Sequence, residues 1–283
     1  MYIPKNSITL DKVTQQQIRL GIQGYPGTGK TWSALTLPNP LVIDIDRGLG
    51  AHVGRTDVAV LPFYDTEFVK SFYQGEPDNI KEALMLWLNR EGKNLEPDQT
   101  LILDGITGLE SAYHTNWRKH PQIAVRSGKV DDYAEWGLKI QYFGELTDIL
   151  ITLRCNVVVI AHEQDAKDKK GDYNGKLRPM LTGQSGDKIA GKFTDWVRQH
   201  AANKPTDYNT LDDAKLKLWD MDKVAFKKMC DSFPRNTIYY WQLESDDVFD
   251  GKVSSLVNFP RYIPANYESF KRWMRKPISP TNG

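Results

Sequence analysis

The chain has 283 residues, of which 40% are hydrophobic and 26% are charged, a composition typical of a globular protein rather than a disordered or fibrous one. Its formal net charge of +1 excludes a global field that would attract nucleic acid, so any DNA or RNA contact must come from a local basic patch. The two cysteines, Cys155 and Cys230, have no metal-ligand spacing, and we expect free thiols.

The first residues and the longest apolar runs bear on location. The N-terminal sequence MYIPKNSITL has no apolar core of the kind that a signal peptide needs, and apolar runs such as residues 157–161 are too short to span a bilayer. We therefore expect a soluble, cytoplasmic protein.

Short apolar strands alternate with helices along the first 165 residues. Helices are predicted at residues 29–35, 80–88 and 136–153, and strands at residues 18–24, 41–46, 58–63, 100–104 and 156–161. The last of these strands, NVVVIA, is almost wholly apolar, as in strands that are buried on both faces of a parallel sheet. The alternation predicts an α/β fold with an open, mostly parallel sheet flanked by helices.

After His162 the pattern changes. Residues 165–176 are polar with two glycines and predict a loop, while residues 186–202 and 213–233 look helical and residues 237–243 look like a strand. We predict a core over residues 1–200, a C-terminal extension with helices and a strand over residues 201–276, and a frayed tail over residues 277–283.

The most specific motif is GYPGTGKT, which fits G-x-x-x-x-G-K-[ST] in full between a predicted strand and a predicted helix. Glycines let the backbone wrap closely around phosphates, the lysine reaches the β and γ oxygens, and the hydroxyl of the last residue binds Mg²⁺. A chance match would also need the strand and the helix to be coincidences. The predicted ATP-binding residues are Gly24, Tyr25, Pro26, Gly27, Thr28, Gly29, Lys30, Thr31 and Trp32.

A magnesium site at this loop also requires a carboxylate at the end of a neighbouring strand. Asp104 ends the apolar strand TLILD and is the predicted second metal residue, together with Thr31. The alternative is that Asp104 caps the helix that begins near Ile106.

The catalytic acid is predicted on the strand that follows the phosphate-binding helix. Gly105 follows Asp104, so no acid stands directly after the metal residue. Asp44 and Asp46 instead lie two residues apart and, on a strand, would share one face. Asp46 is nearer the carboxyl end of the strand, where ligands of open α/β sheets bind. A turn carboxylate at the surface is the alternative for Asp46.

These motifs resemble those of the RecA superfamily. Its catalytic glutamate ends the strand after the P-loop helix in an I-D-x-E context, which residues 43–46 match with aspartate in place of glutamate. His162 stands where the superfamily has a polar residue that senses the γ-phosphate and leads into a DNA-binding loop. The resemblance thus implies catalytic roles for Lys30, Asp46, Asp44 behind it, and His162, although His162 could be a hydrogen-bonded histidine without a switching role.

The ordered set GYPGTGKT, LVIDIDRG, TLILDGITGL and VVVIAHE with the downstream RPMLTGQSGDKIAGKF is similar to phage-encoded RecA-like ATPases of the single-strand-annealing type. The similarity spans residues 15–200. It implies a Mg²⁺-dependent, DNA-stimulated ATPase that forms a ring or filament on single-stranded DNA in the host cytoplasm, with a single-strand-binding protein as a further partner. Gly105 departs from the usual serine or threonine, and residues 203–235 look like an inserted helical segment without an assigned role.

Two basic stretches, residues 118–129 and residues 167–178, are the predicted DNA contacts. The first could be an ordinary connection between elements. The second also contains aspartates, so a plain solvated loop is the alternative there. A RecA-like site also implies a basic finger from a neighbouring subunit, for which Arg178, Lys188 and Lys192 are candidates. The predicted DNA-binding residues are Arg126, Lys129, Lys167, Lys169, Lys170, Lys176 and Arg178.

Two other classes of function share this core. One is a helicase-loader or DNA-motor ATPase, and the other is a P-loop regulator or small-molecule kinase that does not act on DNA. Most P-loop kinases place the metal-binding strand next to the P-loop strand and rely on a mobile lid. The intervening strand at residues 41–46, with its own acids, argues against that class, although the order of the strands in the sheet does not follow from the sequence.

Overall fold

The structure is a computed structural model that describes residues 17–73, 80–117, 125–126, 129–130, 132–167, 172–181 and 185–274. For residues 112–117, 125–126, 129–130, 132–136 and 167 the description covers the backbone alone. None of the helices in the described part of the chain combines the length and the apolar character needed to span a bilayer.

A ten-stranded, mostly parallel sheet forms the centre of the molecule. The described strands are β1 (Arg19–Gly24), β2 (Pro40–Asp44), β3 (Ala59–Pro62), β4 (Thr100–Asp104), β5 (Val125–Arg126), β6 (Lys129–Val130), β7 (Asn156–Lys167), β8 (Tyr173–Pro179), β9 (Asp195–Asn203), β10 (Thr237–Gln242), β11 (Lys252–Val253) and β12 (Tyr262–Pro264). The strands of the sheet run in the order β12-β10-β9-β1-β7-β4-β2-β3, with β8 paired to β7 and β11 paired to β9, whereas β5 and β6 form a separate hairpin.

Helices pack on the sheet and confirm the predicted α/β class with an open, mostly parallel sheet. They are α1 (Lys30–Ala34), α2 (Thr66–Phe72), α3 (Ile80–Arg90), α4 (Ile106–Trp117), α5 (Asp132–Thr152), α6 (Ser185–Lys192), α7 (Asp213–Lys217), α8 (Lys223–Asp231) and α9 (Tyr267–Trp273).

Both faces of the sheet are buried, which explains why its central strands are apolar throughout. On β4, Leu101 and Leu103 belong to the core on one face with α3 and α5, while Ile102 belongs to the core on the other face with α1 and α9. On β7, Val157 and Val158 divide between the two cores in the same way. Successive side chains of a strand point to opposite faces, so a strand between two cores has no polar side.

The strand β9 replaces the second half of a predicted helix. Residues 186–202 were expected to be helical, but α6 ends at Lys192 and β9 then pairs in parallel with β1. Trp196 of β9 packs so closely on β1 that a Cβ on Gly21 would lie 1.8 Å from its ring, and its indole N–H donates to Gln23 at 2.7 Å. This contact across the sheet, which the local sequence does not reveal, overrides the helical propensity.

The strand β7 is twice as long as predicted and changes the interpretation of the polar stretch that follows. Its 12 residues continue beyond His162 to Lys167 and pair antiparallel with β8. The predicted loop over residues 165–176 is therefore wrong for the described residues, which form a β-hairpin. We call residues 163–180 the arm.

The C-terminal extension joins the same sheet. The predicted strand at residues 237–243 is confirmed as β10, which pairs antiparallel with β9 and with β12. The proposed boundary at residue 200 falls within β9. Between β9 and β10 the chain forms α7 and α8, which we call, with their flanking turns, the inserted segment (residues 204–236).

Candidate functional site

The carboxyl ends of four parallel strands meet at one edge of the sheet. In the register of the sheet, Gly24 at the end of β1 is level with His162 on β7, and Asp44 at the end of β2 is level with Asp104 at the end of β4. The sequence motifs predicted separately are thus adjacent in space. Ligands of open α/β sheets bind at such an edge.

The phosphate-binding loop follows β1 and ends at α1. Gly27 and Gly29 have φ angles of 78° and 80°, which are left-handed values that glycine adopts without strain. The turn is closed by Thr28, whose hydroxyl donates to the carbonyl of Tyr25 at 2.8 Å. This conformation is the close backbone wrap that a phosphate group requires.

Lys30 lies at the bottom of the loop and is only 6% exposed. Its ammonium donates to the carbonyls of Gly24 and Tyr25, each at 2.9 Å, and lies 3.4 Å from Nδ1 of His162. Burial lowers the pKa of Lys30 to about 8, and the negative charges of Asp104 and Glu163 oppose that shift. A buried cation of this kind fits an anionic ligand, because phosphate oxygens would restore the charged form.

Thr31 and Asp104, the two predicted metal residues, are in contact. The Thr31 hydroxyl donates to Oδ2 of Asp104 at 2.8 Å. Burial raises the pKa of Asp104 to about 6, the hydrogen bond from Thr31 opposes the shift, and the nearby Asp44 and Asp46 increase it. Asp104 therefore bonds to the P-loop helix, which favours the metal role over a role in capping α4.

The donor set fits Mg²⁺ only in part. Within the described residues, three or more histidine, cysteine, aspartate or glutamate side chains nowhere converge as a ready-made metal site. Thr31 and Asp104 supply two oxygens, and a magnesium ion held here would draw its other ligands from phosphates and water, as Mg²⁺ usually does.

The structure places Asp44 at the end of a strand and Asp46 in the turn beyond it, whereas the sequence predicts one strand for both. The strand β2 ends at Asp44, so the two acids do not share a strand face. Asp44 is buried and accepts the backbone N–H of Gly48 at 3.2 Å, so it holds the turn after β2. Burial raises its pKa, which backbone hydrogen bonds from this turn oppose.

The Asp46 side chain extends from that turn over the first turn of α4. A Cβ on Gly105 would lie 2.5 Å from its Oδ2, and one on Gly108 would lie 1.7 Å from its Oδ1. The two glycines thus make room for the carboxylate. The side chain keeps contact with solvent, yet desolvation and then the charge of Asp44 raise its pKa.

His162 connects the P-loop lysine with the arm. Its backbone N–H donates to Oγ1 of Thr107 at 3.2 Å, and its carbonyl accepts from the backbone N–H of Met180 at the base of the arm. Burial and then the charge of Lys30 lower the pKa of His162, so the neutral imidazole is favoured. Next to it, Glu163 forms a buried ion pair with Arg198 at 3.0 Å.

One cavity of about 510 Å³ unites these groups, a size within the usual range of small-molecule sites. P-loop residues, Asp46, Asp104 and His162 line it. The predicted catalytic and nucleotide-binding residues that are not part of its wall are Gly24, Tyr25, Thr28 and Asp44. The sequence analysis missed the opposite part of the wall, because those residues lie far along the chain and match no motif. The missed lining residues include His52, Pro234, Arg235, Thr237 and Tyr239.

Five of the seven predicted DNA-binding residues lie on described strands. Lys169 and Lys170 lie outside the described residues, and for Arg126, Lys129 and Lys167 only the backbone is described. Lys176 pairs with Asp250 at 2.8 Å on the exposed side of the arm. Arg178 lines a separate cavity of about 400 Å³.

The three candidates for a finger in trans lie away from the cavity of their own chain. Arg178, Lys188 and Lys192 are absent from its lining, as a group that acts on a neighbouring subunit would be. Lys192 is held by an ion pair with Asp148 at 2.6 Å.

The lowered pKa of Lys30 predicts how nucleotide affinity depends on pH. Phosphates bind the protonated lysine, so affinity should fall as pH rises through about 8, approaching tenfold per unit above it. Titration of a fluorescent ATP analogue between pH 7.5 and 9.5 measures this. In Lys30→Arg, whose guanidinium does not titrate in this range, the pH dependence should disappear. Equal slopes in both proteins would contradict the assignment.

The raised pKa of Asp104 predicts that the ionised carboxylate, the form that binds a metal ion, lowers the stability of the metal-free fold. Ionised Asp104 destabilises the metal-free fold, because the folded state binds the proton more tightly than the unfolded state. This cost is complete above about pH 6 and declines as pH falls from there toward the ordinary pKa of an aspartate, below which it is absent. Asp104→Asn should therefore stabilise the metal-free protein at pH 8 by up to about 3 kcal/mol, and by less at pH 5.

Thermal unfolding in a chelator measures this effect, with Asp247→Asn on an exposed turn as the matched control. Added Mg²⁺ and nucleotide should reverse the order, stabilising the wild type more than Asp104→Asn. A destabilised Asp104→Asn in the chelator at pH 8 would show that the carboxylate is not strained in the metal-free fold.

A family model described as an AAA domain matches residues 16–222, more than half of the chain. No curated protein is similar enough to the chain to count as a relative. The matched range contains the P-loop, Asp46, Asp104 and His162, so the family and the geometry describe the same site. The chain belongs to this AAA-domain family and is a P-loop ATPase of the AAA type, which binds and hydrolyses a nucleotide.

Proposed function

We propose that the chain is a Mg²⁺-dependent ATPase that acts on single-stranded DNA in phage recombination, annealing or replication. The observation that carries the proposal is the continuity of β7. The same strand presents His162 beside Lys30 at the nucleotide site and then extends into the arm. A nucleotide-dependent change at His162 thus has a direct covalent route to a surface that can bind a polymer.

The roles of the site residues follow from their surroundings. A bound magnesium ion would neutralise phosphate charge, and Thr31 and Asp104 are the residues that would hold it. Lys30 contacts the β and γ phosphates. Asp46 orients the attacking water and accepts its proton, for which the raised pKa of its carboxylate is suited. Asp44 supports Asp46 by holding the turn that carries it.

The arm offers the two kinds of contact that single strands use, cations for phosphates and aromatic rings for bases. Tyr173, near the tip, is 56% exposed, and the P-loop residue Tyr25 is 47% exposed. Lys167 is paired with Tyr173 across the hairpin. The ion pair of Lys176 with Asp250 lies at the surface, where such pairs contribute little, so a DNA phosphate can compete for this lysine.

Assembly into a ring or filament is part of the proposal. Within the described part of the chain, the lysine and arginine side chains that line the cavity are Lys30 and Arg235. A cation from a neighbouring subunit would complete the charge compensation of the transition state. A single-strand-binding protein is the further partner that this function would require.

The strongest alternative is a helicase loader or DNA motor with the same site. The kinase alternative is disfavoured by the strand order, because β7 lies between the P-loop strand β1 and the metal-binding strand β4. Stimulation of ATP hydrolysis by bare single-stranded DNA favours our proposal, whereas stimulation only by a partner helicase favours the loader.

Asp46→Asn should bind ATP nearly as well as the wild type and hydrolyse it about a hundredfold to ten-thousandfold more slowly, because an amide cannot accept a proton from water. Turnover at saturating ATP and the dissociation constant are the measurements. Asp44→Asn keeps an acceptor for the Gly48 N–H and should lose less activity. The opposite order of losses would place the base at Asp44.

Replacing Lys167, Lys169 and Lys170 together by glutamine should weaken single-stranded DNA binding in a salt-dependent way. Each lost phosphate contact lowers the slope of log affinity against log salt by roughly 0.7, so the slope should fall by about 2. Fluorescence anisotropy of a labelled oligonucleotide at several salt concentrations measures it.

A matched triple replacement of Lys215, Lys217 and Lys228, exposed on α7 and α8, should leave the slope unchanged. Equal slopes for both triple variants, or a preference for duplex DNA, would count against the arm as the binding surface.

A further inference from the structure

The inserted segment forms one wall of the nucleotide cavity. Near its C-terminal end, Pro234 and Arg235 line the cavity together with Thr237 and Tyr239 at the start of β10. These residues lie beyond residues 16–222, the range that the AAA-domain model matches. A segment without a motif therefore contributes directly to the site of the motif residues.

Two aromatic contacts fix this wall against the P-loop. The ring of Tyr239 lies so close to the P-loop that a Cβ on Gly29 would be 2.7 Å from it. Trp32, the residue after Thr31, packs against Phe233 and Tyr239 with ring centroids 5.8 and 5.5 Å apart. Arg235 is thus held between two anchors, Phe233 and Tyr239, that both touch the beginning of α1.

Hydrogen bonds secure the turn from the other side. The backbone N–H of Lys204 donates to the carbonyl of Asn236 at 3.0 Å, and its ammonium donates to the carbonyl of Phe233 at 2.7 Å. The inserted segment also contains a small hydrophobic core, which includes Trp219, Phe226 and Cys230 and stabilises the segment. The backbone that carries Arg235 is therefore held in place, although its side chain is exposed.

The guanidinium of Arg235 is available for a ligand. Among the described residues, no carboxylate or carbonyl pairs with it, in contrast to Arg198 and Arg261, which form ion pairs with Glu163 and Asp246. It shares the cavity with Lys30, whose ammonium lies deep under the loop. An unpaired guanidinium at the wall of a phosphate site is suited to bidentate contact with phosphate oxygens.

The anchors indicate which phosphates Arg235 reaches. The backbone of a P-loop cradles the α and β phosphates, while the γ-phosphate lies toward the metal and the catalytic acid. Asp46, Asp104 and His162 mark the γ side of this cavity. Phe233 and Tyr239, which flank Arg235 along the chain, instead contact Trp32, and Tyr239 also lies against Gly29. We propose that Arg235 binds the α and β phosphates of the nucleotide within its own chain, so that the inserted segment serves as a nucleotide clamp.

This role differs from that of a finger in trans and is independent of the proposed action on DNA. Contacts to the α and β phosphates are the same in ATP and ADP and change little during cleavage of the γ-phosphate. Arg235 thus stabilises the bound substrate and the transition state equally. Its loss should raise the dissociation constants of the nucleotides without an equal loss of turnover.

The test is calorimetric titration of Arg235→Ala without DNA, using ATP in the presence of a chelator, ADP, and inorganic tripolyphosphate. We expect all three to bind roughly ten- to a hundredfold more weakly, as for the loss of one charge-assisted contact. Turnover at saturating ATP should change much less than the affinities. Arg235→Lys should recover part of the affinity, because it keeps the charge but not the bidentate geometry.

The matched control is Lys228→Ala, an exposed cation on α8 that does not line the cavity and should bind all three ligands normally. The melting temperature of each ligand-free variant verifies the fold, and Arg235→Gln replaces Arg235→Ala if the latter is unstable. Unchanged affinity for ADP, or a loss for nucleotides without a loss for tripolyphosphate, would overturn the proposal. The first outcome would exclude a contact to the α and β phosphates, and the second would assign Arg235 to the base or ribose.

Discussion

The relative register of the parallel strands β1, β7, β4 and β2 is the constraint on which the site depends. It sets Gly24 level with His162 and Asp44 level with Asp104, and these pairings bring the motif residues of the site together. Both faces of these strands are buried, so a slip by one residue would exchange the side chains of two different cores. The apolar strands thus fix the positions of the polar residues at their ends.

Burial disfavours the charged forms of the ionisable groups at those strand ends. Burial lowers the pKa of Lys30 to about 8 and raises that of Asp104 to about 6, although the two groups have opposite charge. Both shifts disfavour the charged forms that bind phosphate and metal. The free energy stored in this way is released when ligands restore the charges, which couples nucleotide binding to the stability of the fold.

Local signals account for the part of the site that the sequence predicted. The P-loop is a contiguous motif and Asp104 ends a strand whose bounds were predicted correctly, so both could be located without the fold. Asp46 was placed on a strand, but β2 ends earlier and the acid lies in a turn that Asp44 holds. Turn geometry of this kind depends on hydrogen bonds that residue periodicity does not encode.

The errors concern elements that long-range contacts determine. A helix was expected where β9 pairs with β1 and Trp196 packs over Gly21, and a loop where β8 pairs with β7. The wall formed by Pro234, Arg235 and Tyr239 had no sequence signal, because exposed or half-buried residues between a helix and a strand resemble any connection. The packing of Trp32 against Phe233 and Tyr239, which are distant in sequence, brings this wall to the P-loop.

The unbroken course of β7 has a mechanical consequence. A strand that is paired on one or both sides has no hinge, so the four residues from His162 to Asp165 behave as a stiff lever roughly 10 Å long. The register shift between Asp165 and Lys167 is the first place along it where the backbone can bend. Under the proposed function, a displacement of His162 would therefore carry Asp165 with it, and the inner half of the arm would report the state of the cavity as a change of angle rather than as a transition between order and disorder.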